Sequence, residues 1–127
     1  MVSRDDVQSW LDRLELPVTT VADDLWVVQL SDGGELAVNF APPVLVLRVR
    51  VTELPADAGR FAGMARQLLQ WNARDLVHGS YGIEGDHVVL TDTLELGHLD
   101  FSEFEASIDS LGLALASHLG ALAPYRE

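Results

Sequence analysis

The sequence predicts an α+β domain: a five-stranded, mostly antiparallel sheet with three helices against it, in the order α-β-β-β-α-β-β-α. Two observations carry this. Apolar residues recur at helical spacing in three separate segments, and between those segments the period falls to two. The strands are also joined by short, turn-rich loops, as in a meander. With 127 residues the chain has room for one hydrophobic core, so residues 1–127 are read as a single domain.

Each element follows from its residues. Ser3 with Asp6 has the form of a capping box, and Val7, Trp10, Leu11 and Leu14 then repeat at helical spacing until Pro17. The first helix is expected over residues 4–15. From Val18 the pattern alternates, and Val18–Val21 and Leu25–Leu30 read as one strand kinked at Ala22-Asp23-Asp24. Ser31-Asp32-Gly33-Gly34 is a turn, and Glu35–Phe40 alternates cleanly. Pro42-Pro43 interrupts, since proline cannot donate to a ladder, and Val44–Thr52 is a strand of β-formers. Leu54-Pro55-Ala56-Asp57 opens the second helix. A hairpin follows, Ser80–Glu84 and His87–Leu96 about a Gly85-Asp86 turn. Asp100 with Glu103 and Ser102 with Glu105 are two overlapping capping boxes. They begin a third helix with a stripe of Phe104, Ile108, Leu111, Leu115, Leu119 and Leu122.

Composition removes several function classes. Eight basic residues against 20 acidic ones give a formal charge of −12, which disfavours phosphate backbones and anionic lipid surfaces, so neither nucleic acid nor membrane is expected as a partner. Without cysteine there is no thiol nucleophile, thiolate metal site or disulfide. The N-terminus has no apolar signal core, and no apolar run approaches the roughly 18–20 residues that cross a bilayer, so a cytoplasmic protein is expected.

Catalytic and ligand-binding patterns are absent as well. His78, His87, His98 and His118 never fall at a helical ligand spacing, no serine lies in a Gly-x-Ser-x-Gly elbow, and Gly33-Gly34 lacks the Lys and Ser/Thr of a phosphate loop. No catalytic residue, metal or cofactor is assigned. Arg48 and Arg50 share a strand face and read as a solvated face paired with carboxylates, or as a basic patch for an acidic peptide. The second helix says more. Its apolar residues cover about half its circumference, wider than the stripe of about 100° that one sheet needs. The excess lies at Met64 and Trp71 on one flank and Ala62 and Leu69 on the other. It calls for a further cover: the first helix, a second copy, or a client peptide. Asn72 lies amid the same arc, where a polar group needs a partner, and its amide is expected on the backbone of an adjacent strand or loop.

The element order resembles that of type III secretion chaperones and of the YbjN family, a CesT/Tir-chaperone-like fold. The local match runs through Leu68-Leu69-Gln70-Trp71-Asn72 and Gly79-Ser80-Tyr81-Gly82-Ile83. It continues through Gly85-Asp86-His87-Val88-Val89-Leu90 to Leu94-Glu95-Leu96. The resemblance implies a small acidic homodimer without catalytic residues that binds other proteins, holding an unfolded client segment along apolar patches. Phe61, Met64, Leu68, Trp71 and Tyr81 are the candidate interaction and dimer residues. The competing expectations are a regulatory or sensory domain for a folded partner or small effector, with one discrete pocket, and an enzyme with a spatially assembled acid site.

Overall fold

The structure is a computed structural model that describes residues 1–126. Helix α1 spans Arg4–Arg13. The Ser3 hydroxyl accepts from the Asp6 amide at 3.2 Å and the Asp6 carboxylate accepts from the Ser3 amide at 2.9 Å, so two open N–H groups are satisfied reciprocally. The helix ends at Arg13, two residues before the expected end, because Leu14 is already extended.

Six strands, not five, make up the sheet: β1 (Val18–Ala22), β2 (Leu25–Gln29), β3 (Glu35–Ala41), β4 (Val44–Glu53), β5 (Ser80–Glu84) and β6 (His87–Glu95). The segment read as one kinked strand is a hairpin. Ala22 lies opposite Leu25, and Asp23 and Asp24 form the turn between them. The order is β1-β2-β3-β4-β6-β5 and every pairing is antiparallel.

Alternation sorts the strands into two faces. The inner face carries Trp26, Val28, Leu36, Val38, Leu45, Leu47, Val49, Val88 and Leu90, all buried. The outer face carries Val27, Ala37, Asn39, Arg48 and Arg50. The helices supply the other half of one core. Val7 and Leu11 come from α1, Met64, Leu68 and Trp71 from α2 (Ala58–Arg74), and Phe104, Ile108, Leu111 and Leu115 from α3 (Phe101–Leu122). A short 3-10 turn, Ala123–Tyr125, follows α3.

Two helix starts differ from expectation. α2 begins at Ala58, capped by the Asp57 carboxylate, because Leu54 to Ala56 stay outside the helix. α3 uses one capping box donor only: Asp100 accepts from the Glu103 amide at 2.8 Å, and Ser102 turns back to donate to Asp100 at 3.0 Å. By length and a mean hydropathy of 1.3 the Phe101–Tyr125 segment matches a membrane span, a match that core helices of globular proteins also make. Its Phe104–Leu111–Leu115 line is instead buried in the core beneath the sheet.

Candidate protein-interaction face

α2 lies over the β5 end of the sheet. One line of side chains, Met64, Leu68 and Trp71, points inward at spacings of four and three. Met64 is 0% exposed, Leu68 5% and Trp71 8%, and Tyr81 of β5 is 5% exposed beneath them. Four of the five candidate residues are therefore packing residues of the single chain. Phe61, at 37% exposure, stands at the rim. The surplus apolar surface of α2 lies on the opposite flank, where Leu69 is 67% exposed. A half-circumference arc does not reveal which of its edges meets the sheet. The structure turns the Met64 and Trp71 edge inward and the Leu69 edge outward.

The outward flank is a shallow depression lined by Ala62, Ala65, Arg66, Leu69, Gln70 and Ala73. The small side chains leave the backbone of α2 approachable, and Leu69 projects from it. The only charges on α2 are Arg60, Arg66 and Arg74, in a chain dominated by acids. The depression is thus an apolar shelf with a basic rim.

Beneath α2 is a polar cluster that the sequence reading missed. The Trp71 and His118 rings stack with centroids 3.8 Å apart and planes 1° apart. Tyr81 Oη lies 2.7 Å from His118 Nδ1, and His118 Nε2 lies 3.3 Å from Asp75 Oδ2. Burial, helped by the Asp75 charge, raises the Tyr81 pKa well above its ordinary value, so the phenol keeps its proton and donates to Nδ1. His118 Nε2 faces the Asp75 carboxylate, which can only accept. The contacts run from Asp75 at the end of α2 through His118 of α3 to Tyr81 of β5, so they tie the three elements together. A signal was present: Leu111, Leu115, His118 and Leu122 follow the buried 4-3-4 stripe of α3.

Asn72 meets its expectation. Its Oδ1 accepts from the Tyr81 amide at 2.7 Å and its Nδ2 donates to the Tyr81 carbonyl at 3.1 Å. It occupies the position a neighbouring strand would take on the free edge of β5. At the start of that strand Gly79, with φ +79°, is required: a Cβ there would lie 2.6 Å from the Thr91 carbonyl oxygen and 2.9 Å from Leu111. Among the described residues, no three His, Asp or Glu side chains converge as a metal site.

Known structures share this fold. A chain of the heterodimeric ExoU–SpcU complex, from the type III secretion system of Pseudomonas aeruginosa, superposes with a TM-score of 0.69 at 22% identity. The match covers 95% of this chain and 98% of that one. A chain of the ExsC–ExsE complex gives 0.70 at 18% identity, covering 96% and 97%. YbjN from E. coli gives 0.69 at 12% identity, covering 94% and 93%. At these identities the likeness establishes the fold. No curated protein sequence matches significantly. The sequence profile of one family does match, from residue 2 to residue 127, and the chain belongs to the CesT_Tir_1 family.

Proposed function

We propose that this chain is a non-catalytic, cytoplasmic protein-binding module that works as a homodimer and holds or regulates a protein partner. The observation that carries the reading is the outward flank of α2, with Leu69 exposed among small side chains. An apolar shelf of this kind suits burial against another protein surface. Family membership supports the reading, as do the folds of chains found in chaperone–effector complexes such as HopA1–SchA. In the proposed dimer two α2 helices meet across a two-fold axis, so each substitution acts twice. Phe61 lies beside the shelf, in a separate depression with Leu54 and Pro55. Met64, Leu68, Trp71 and Tyr81 fix the angle of α2 from beneath.

Sedimentation of the full chain at micromolar concentration tests this. The expected result is a dimer that Leu69→Arg converts to monomer with an unchanged melting midpoint, because Leu69 is exposed within the protomer. A wild-type monomer, or a Leu69→Arg variant that stays dimeric, overturns the α2 interface.

A further inference from the structure

Residues 75–79 join α2 to β5. At the α2 end the Asp75 and Leu76 amides both donate to the Trp71 carbonyl, at 2.9 and 3.2 Å. At the β5 end Gly79 packs against the Thr91 carbonyl and Leu111. Between the two ends Val77 is exposed and faces Leu113 and Ala114 of α3 across a shallow depression.

Each end also holds a histidine against a carboxylate. His118 Nε2 lies 3.3 Å from Asp75 Oδ2, and His78 Nδ1 lies 3.9 Å from Asp92 Oδ2. Asp92 follows Val88 and Leu90 on the inner face of β6, and its side chain is only 16% exposed. Its other contact is Ser107 of α3, whose hydroxyl donates to it at 2.6 Å. The groups that face His118 are Asp75 from α2 and Tyr81 from β5, with Trp71 stacked on the ring. His78 faces Asp92 of β6. Neither carboxylate pairs with an arginine among the described residues. The reason lies in the sequence: the chain has no lysine, and no arginine occurs between Arg74 and Arg126. Through β5, β6 and α3, imidazole is therefore the only side chain that can become positive, and it does so near neutral pH and below.

We propose that residues 75–79 form an acid-tightened clamp, in which protonation of His78 and His118 creates ion pairs with Asp92 and Asp75 that fasten the connection to β6 and α3. Above the imidazole range the same segment is held by neutral contacts alone. The His78–Asp92 pair is the stronger arm, because Asp92 is largely enclosed and its field is little screened, whereas Asp75 is half exposed. Trp71 does not oppose the charge on His118, since a cation over an indole face is attracted. Tyr81 does: its hydroxyl must turn from donor to acceptor once Nδ1 carries a proton. The clamp stands on these contacts and does not depend on the α2 interface.

Hydrogen exchange of the full chain at pH about 5.5 and pH about 8 tests the clamp, read as protection factors so that the intrinsic pH dependence of exchange is removed. The Asp75 and Leu76 amides report on one end, and the Tyr81 amide, which donates to Asn72 Oδ1, on the other. Their protection should be about threefold higher at the lower pH, with a smaller change in β3 and β4. Asp92→Asn keeps an acceptor for Ser107 but removes the charge, and should abolish most of this response. His78→Gln, on a part-exposed side chain, should do the same without touching the core. Asp75→Asn should remove a smaller share. Equal protection at the two pH values, or higher protection at pH about 8, overturns the clamp. A response that survives His78→Gln overturns it as well, and so does a rise shared equally by every slow amide, which reports global stability.

Discussion

At the scale of single residues, Asn72 does the most for its size. β5 is an edge strand, and the Asn72 carboxamide satisfies both main-chain groups of Tyr81 on the free side. It thereby fastens α2 to the sheet at the point where Trp71 packs on Tyr81, ring centroids 5.8 Å apart. Asn72→Leu keeps the volume but leaves a part-buried N–H and C=O unpaired, which costs about 1–3 kcal/mol per orphaned group. Urea unfolding should show a lower midpoint with an unchanged slope. A midpoint equal to the wild type would show that water replaces the carboxamide. Asn72 was legible in the sequence because a polar residue within an apolar arc needs a partner. His118 carried a weaker signal, because the stripe of α3 continues equally well through Leu119 or through His118, one residue apart.

At the scale of elements, caps and stripes were legible and strand count was not. The capping box of α1 and the Asp100 cap of α3 follow from local chemistry, and the structure reproduces both. The β1–β2 hairpin escaped notice because its turn is Asp23-Asp24, without the glycine that usually marks a two-residue loop. The edge by which α2 meets the sheet escaped notice for another reason: Trp71 and Leu69 are equally apolar, and only the position of β5 decides between them. The Asp100 cap carries a pH signature. Hydrogen bonds, first from the Glu103 amide and then from Ser102, hold its carboxyl below the ordinary 3.8. The folded pKa is the lower one, so its stabilising effect is complete above 3.8 and disappears as pH falls through the folded value. Asp100→Asn retains a good capping residue without the titration. Between pH 5 and pH 2, the melting midpoint of this variant should therefore fall less steeply than that of the wild type. Parallel curves would remove Asp100 from the acid response.

At the scale of the whole molecule, a formal charge of −12 opposes compactness as well as association. Few arginine–carboxylate pairs among the described residues offset it: Arg48–Glu84 at 3.1 Å is half exposed, and Arg4–Asp5 at 3.6 Å is largely so. Screening should therefore stabilise the fold. The melting midpoint is expected to rise between about 10 mM and about 0.15 M salt, as the Debye length shrinks from about 30 Å to about 8 Å. A flat or falling midpoint would show that attractive pairs outweigh the net repulsion.

The position of α3 in the chain has a kinetic consequence. This helix supplies Phe104, Ile108, Leu111 and Leu115 to the core, yet all six strands precede it. α1 and α2 precede the last hairpin and can cover part of the inner face, but the share of the core that α3 supplies stays bare until that helix arrives. Docking of α3 also seats His118 on Trp71. A chain cut before residue 101 should therefore expose the inner-face residues that α3 covers, read as aggregation or dye binding that the full chain does not show.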